Sequence, residues 1–362
     1  MIIDIEKEEA FFREITQAPG ASGFEEEIRS VIHRHLEGLA DEITTDRLGS
    51  LIAMREGENS NVRLMLIAHM DEVGFLVKGT DKRGYIRFLP IGGWNAQTAL
   101  GQRVTIQTKR GPVFGVIGAP SPHELKEEQL KKAVKLEDLW IDAGVSLHFN
   151  PVQEYGIRPG DPIVPYGELQ RSANPKVWMA RNWDDRIGCA ILLKIFQAMK
   201  TRKPPCTVYG VFSVQEEPAL RGAATSSWIA DPDLALAVDV SFARDAPGDP
   251  EEDYAPMGGG ACLIVCDNWM LPNRKLRDSL LDLSEREKIP CHLSYLKSGY
   301  DTGRVHLHKQ GVPSCVLGVP SRYIHGFASL IHEDDANHAA NLALHWIENV
   351  DADYVRNMQS FL

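Results

Sequence analysis

Cysteine is sparse in this chain and carries no pattern. The six residues, at 189, 206, 262, 266, 291 and 315, form no C-x-x-C pair and no disulfide-scaffold spacing. Most lie in apolar surroundings, as buried reduced thiols do. Positive charge is short as well: 39 Lys and Arg stand against 50 Asp and Glu, a net charge of −11. That balance argues against nucleic acid or an anionic membrane as partner. No apolar run approaches the ~18 residues of a membrane-spanning helix. The N-terminal stretch MIIDIEKEEAFF is acidic and lacks the basic and apolar regions of a secretory signal. Internal repeats and low-complexity segments are also missing. What is left is a soluble protein expected in the cytoplasm.

What is present is length and alternation. A chain of 362 residues, 43% hydrophobic and 25% charged, has room for two domains and a large core. Apolar spacing predicts a helix over 4–17. Ser22 and Glu25 read as a capping box opening a second helix. Thr44 to Met54 reads as a strand pair, and RLMLIA at 63–68 as a buried strand ending at His69-Met70-Asp71-Glu72. From Val73 to about Lys176 turn residues recur between short β-branched segments, which predicts a small barrel or sandwich, with one helix at Glu124 to Leu139. After Trp178, strands and helices alternate again, with strands at 207–214, 234–240, 261–266, 290–295 and 312–319. Helices are expected at 184–199, 223–229, 273–288 and 335–350. The expected fold class is α/β, a parallel or mixed sheet covered by helices on both faces, interrupted by an inserted all-β domain. The boundaries are 1–70 with 177–362 for the α/β domain and 71–176 for the insertion.

The chemistry gathers at strand ends. The strand TVYGVFSV stops on Gln215, Glu216 and Glu217. Two carboxylates at the mouth of a buried strand are unfavourable without a positive neighbour, and only Arg221 lies near in sequence. His69, Asp184, Asp239 and His325 also sit at strand ends or a helix start. In such sheets these positions converge on a crevice beyond the strands' carboxyl ends. Two His and three carboxylates suit two divalent ions with one carboxylate bridging, a hydrolytic arrangement at ~3.5–4 Å. One Glu remains as a base. Taken singly, each has a plainer reading: His69 as a hydrogen-bonded histidine, Asp184-Asp185 as helix N-terminal charge, Asp239 as a turn residue, and Glu217 as a partner of Arg221. Asp71 is placed to accept the second N–H of the His69 ring. His306 and His308 would share a strand face, and structure is the favoured reading there. His332 and His338 read as capping and surface charge.

The blocks carrying these residues resemble the M42 metallo-aminopeptidases, also labelled glutamyl aminopeptidase or cellulase M. They include PGASGFE at 19–25, AHMDEVGF at 68–75, IGGW at 91–94, GVIGAPSPH at 115–123, DDRIG at 184–188, VQEE with Arg221-Gly222-Ala223, DVS at 239–241 and RYIH at 322–325. The resemblance implies a dinuclear zinc-peptidase-like catalytic domain interrupted by a barrel-like oligomerisation domain. By position, His69 and Asp239 would hold one metal, Glu217 and His325 the other, and Asp184 would bridge. Glu216 would be the general base acting with a metal-activated water, and Asp71 the partner of His69. A cis peptide after Asp184 is implied too. The cofactors would be two divalent ions per subunit, zinc or cobalt, and the substrates peptides cleaved at their N-terminal residue. A homo-oligomer is expected, tetrahedral dodecamers being common among members. The sequence departs from the family pattern at Pro218-Ala219, at SGYDTG (298–303) and at Gly326-Phe327, without losing a ligand. The rival readings are a co-catalytic deacylase or carboxypeptidase, a glycoside hydrolase, and an inactive oligomeric scaffold.

Overall fold

A computed structural model describes residues 2–121, 123, 126–249 and 255–362. Four strands form its parallel spine, in the order Cys206–Ser213, Asn59–His69, Leu234–Phe242 and Ser314–Arg322. Their apolar runs do not alternate because helices cover both faces. On one face the helices Trp183–Met199 and Glu333–Glu348 bury Phe196, Ile187 and Trp346, joined by Phe12 from the first helix. On the other, Ala223, Tyr300 and Val305 pack over Met65, Ile67 and Val211. Antiparallel strands extend the spine on both sides, giving eleven strands among the described residues. The parallel register sets Ser213 opposite His69 and Asp239 opposite Gly318, so the polar strand ends line up along one edge.

The second body is a closed antiparallel barrel of six strands among the described residues, from Gly74–Thr80 to Pro162–Pro165. Phe75, Phe88, Ile106 and Ile141 fill it. The short strand Gln170–Arg171 already pairs back onto the large sheet. No described helix is long and apolar enough to cross a membrane, and all six cysteines are free.

Several elements differ from the sequence reading. The first helix starts at Glu9, after a turn. The helix expected over Glu124–Leu139 is reduced to Glu127–Leu130 and a single 3-10 turn, Leu136–Asp138; Glu124 and Leu125 lie outside the described residues. Most described residues there are exposed, and only Val134, Leu136 and Leu139 are drawn onto the barrel core, too little burial to support a long helix. The stretch holding His306 and His308 is a short helix, Thr302–Val305, and a turn, since Thr302 and Val305 are drawn into the core. His308 there pairs with Asp231 Oδ1 at 3.0 Å, a structural role. His332 caps its helix as expected, its ring accepting from Asp334 N. A last helix, Ala352–Gln359, follows where none was expected.

Glu72, just before the barrel strand Gly74–Thr80, anchors the chain to the large unit. Its carboxylate accepts from Arg181 at 2.8 and 2.9 Å and from Gly20 N at 3.1 Å, with Arg186 3.4 Å away. Arg186 has no solvent exposure and also donates to the carbonyls of Met70, Ile15 and Ala18. Glu72→Ala would strand buried guanidinium charge, a loss of ~3–5 kcal/mol. A shift of under ~1 kcal/mol in denaturant unfolding would contradict that reading.

Candidate metal centre

His69 is the last residue of the Asn59–His69 strand and is buried. Its backbone N–H donates to Asp185 Oδ2, 3.2 Å, and its carbonyl accepts from Cys189. The ring is set by Asp71, but not through the expected group. Nδ1 lies 3.0 Å from the Asp71 main-chain carbonyl and 3.5 Å from the carboxylate. The Asp71 carboxylate is otherwise engaged: it accepts from Glu216 N (3.0 Å), Glu217 N (3.2 Å) and Ser22 Oγ (2.6 Å). Ser22 therefore does not cap the second helix as the sequence suggested. That helix begins at Glu26, and Glu25 turns back to accept from Gly23 N and Gln215 N.

The turn after Gln215 places Glu216 and Glu217 on the crevice. Gln215, Ala219 and Leu220 have positive φ (53°, 142° and 56°), a region that residues with a Cβ seldom enter. Ala219 lies in the Pro218-Ala219 step where the sequence departs from the resembled pattern, and it takes up this conformation with a Cβ. Arg221 bonds Gln215 Oε1 at 3.2 Å, which removes it as the partner of Glu217.

Asp184 lies between the two histidines. One carboxylate oxygen is 3.0 Å from His69 Nε2, the other 3.1 Å from His325 Nε2. The peptide bond to Asp185 is cis. Asp239 Oδ2 and Glu216 Oε2 each stand 3.9 Å from His69 Nε2. Glu217 Oε1 is 3.2 Å from His325 Nε2 but is buried without a hydrogen bond among the described residues. All seven residues singled out from the sequence are thus brought together at one end of the sheet. They line a cavity of about 1080 Å³, except Asp71, which stands behind it.

Charge dominates this site. Burial pushes the Glu216, Glu217 and Asp239 carboxyls upward. Burial also works to raise Asp184, but the His325 and His69 hydrogen bonds prevail and hold it well below the usual range. Burial alone would depress His69; the charge of Glu216 and the bonds to Asp184 and Asp71 outweigh it and raise the imidazole well above its ordinary value. Four carboxylates face two imidazoles, so the negative charge exceeds what the chain itself balances. An orphaned carboxylate oxygen and two imidazole Nε2 atoms pointed into that excess fit divalent cations.

Two carboxylates escaped the sequence reading. Asp185 belongs, with His69 and Asp239, to one of two sets of potential ligand atoms lying within 4.8 Å of one another; the other is His69, Asp184 and Glu217. Both Asp185 oxygens already accept backbone N–H groups, of His69 and of Gly188. The adjacent aspartates were the available signal, but nothing in sequence says which faces the cavity. Asp301 accepts from Ser213 Oγ, and its other oxygen is buried without a hydrogen bond among the described residues. It sits in the block departing from the family pattern, which gave no role for it.

The glutamyl aminopeptidase of Lactococcus lactis subsp. cremoris is 33% identical over 352 residues, 96% of this chain and 98% of that protein. The crystal structure of a TET aminopeptidase from a marine sediment archaeon, Thaumarchaeota archaeon SCGC AB-539-E09, superposes with a TM-score of 0.94 at 36% identity, covering 98% of this chain and 99% of that one. The TET1 peptidase of Pyrococcus horikoshii, which can assemble into a tetrahedron or a large octahedral shell, superposes with a TM-score of 0.82 at 29% identity over 96% and 99% of the two chains. Residues 49–342 match the sequence profile of the M42 glutamyl aminopeptidases, and with relatives aligned from end to end the chain belongs to that family.

Proposed function

We propose that this protein is a dinuclear metal-dependent aminopeptidase that removes N-terminal residues from peptides. The observation carrying the reading is the Asp184 carboxylate, with one oxygen 3.0 Å from His69 and the other 3.1 Å from His325. His69 and Asp239 would hold one divalent ion, Glu217 and His325 the other, and Asp184 both; zinc or cobalt suits these N and O donors. Bound there, the ions would supply Lewis acidity and acidify a water. Glu216 opens onto the cavity, and its carboxylate makes no hydrogen bond among the described residues. It is therefore available to take the proton of the attacking water and to return it to the departing amine. Asp71 fixes the backbone of both glutamates and the tilt of the His69 ring.

Residues 1–70 and 177–362 form the catalytic unit in this reading, and 71–176 an inserted barrel used for assembly. Phe114, Val116 and Leu147 stand exposed on the insertion, apolar surface available for a homo-oligomer of the tetrahedral kind. Six free thiols suit the reducing cytoplasm.

Aminoacyl-anilides should be cleaved by the purified protein, with activity abolished by a chelator and restored by zinc or cobalt. N-acetylated peptides and cellulose should be inert. Deacylation of the blocked peptides, or their hydrolysis from the C-terminus, would favour the deacylase or carboxypeptidase reading instead, and chelator-resistant cleavage would overturn the metal-dependent mechanism. A chain that binds no metal and cleaves nothing would be a scaffold.

A further inference from the structure

His325 stands on a loop held from two sides: its own unit packs Ile324 on the large core and bonds Arg322 to Asp245 at 2.6 and 2.7 Å. Tyr323 and His325 both have left-handed backbone conformations (φ 60° and 58°), which side chains with a Cβ avoid. The barrel holds the imidazole itself. The imidazole Nδ1 lies 3.0 Å from the Gly93 carbonyl. A carbonyl only accepts, so Nδ1 carries a proton, and Nε2 is the ring atom that faces Asp184 and Glu217. Gly93 is in turn fixed by Trp94, whose indole donates to Gly74 O at 2.9 Å and stacks on Phe75 at 4.5 Å. Two residues beyond His325 the chain crosses into the barrel. Phe327 is 9% exposed, shares the barrel core with Phe75, Phe88, Ile106 and Ile141, and lies 5.3 Å from the Trp94 ring.

We propose that Phe327 is a positioning residue for His325. Plugged into the barrel against Trp94, it seats the imidazole on the Gly93 carbonyl, so the inserted domain completes the Glu217–His325 half of the centre. The inference rests on the metal-centre reading above and adds a role for the insertion other than assembly.

The test is titration of Co²⁺ into metal-free full-length protein, followed by visible absorption and elemental analysis. In wild type two ions bind. In Phe327→Ala the ion held by Glu217 and His325 should bind about 10–100-fold more weakly, the usual effect of losing a ligand's outer support. The other ion should be unchanged, and Phe327→Leu should recover part of the loss. Gly93→Ala, whose methyl would sit 3.1 Å from His325 Nδ1, should weaken the same ion without touching the barrel core. Ile141→Ala, a truncation elsewhere in the barrel, should leave both ions in place. Wild-type affinity for both ions in Phe327→Ala and Gly93→Ala would overturn this inference alone, as would equal weakening in Ile141→Ala. A wild-type chain that takes up no second ion would overturn the parent reading and this one with it.

Discussion

Glu216→Gln should keep both metal ions and lose about 10²–10⁴ of its turnover, the span typical of a removed general base. The substitution is nearly isosteric, and among the described residues the nearest charged partner of the Glu216 carboxylate is His69 Nε2, 3.9 Å away and beyond hydrogen-bond reach. Its backbone N–H, held by Asp71 Oδ1 at 3.0 Å, is untouched. An amide in that place still lines the cavity but cannot accept a proton from water at neutral pH. The nearest substitutes are already occupied: Asp184 lies between two imidazoles and Asp71 is saturated by three donors. Steady-state kinetics should therefore show the loss in kcat, with KM little changed. Elemental analysis should show the metal content of the wild type. Residual turnover within tenfold of wild type would transfer the base to another residue.

The same neighbourhood shows what a sequence discloses and what it withholds. His69, Asp184, Glu216, Glu217, Asp239 and His325 are legible because each ends an apolar run, and parallel strands bring such ends to one edge. Asp71 was legible as a neighbour of His69, but its carboxylate turned out to serve the backbone of Glu216 and Glu217. That contact spans more than 140 residues, and no local pattern records it. Ser22 was misread for the same reason. A Ser-x-x-Glu spacing is a sound helix start, yet the hydroxyl donates to the buried carboxylate of Asp71, a charge-assisted bond stronger than accepting from a helix N–H exposed to water. The helix expected near 124–139 failed in the opposite way: its local pattern is helical, but Val134, Leu136 and Leu139 reach the barrel core from a 3-10 turn and extended chain instead. Phe327 read only as a departure after His325. Its meaning depends on Trp94, which lies in the other body.

Asp184→Ala is the complementary experiment and should have the larger effect. Glu216 is one functional group beside the centre, whereas Asp184 is the only side chain among the described residues within 3.1 Å of both His69 Nε2 and His325 Nε2. Without it, His69 retains Asp239 and His325 retains Glu217, two donors each where a stable site needs three or more. Asp185 is a poor replacement, since its oxygens are committed to the N–H groups of His69 and Gly188. Purified Asp184→Ala should thus carry less than one ion per chain by elemental analysis. The Lewis acidity lost with the metals is worth several kcal/mol; at about 1.4 kcal/mol per factor of ten, activity should fall by roughly 10³ or more. Excess zinc or cobalt should not restore it, in contrast to a chelated wild type. The two variants separate the roles: a full metal complement with no turnover marks the base, and loss of both together marks the bridge. Two tightly bound ions in Asp184→Ala would mean that Asp185 or Asp301 reaches the centre when the bridge is gone, and the ligand assignment would have to be redrawn around them.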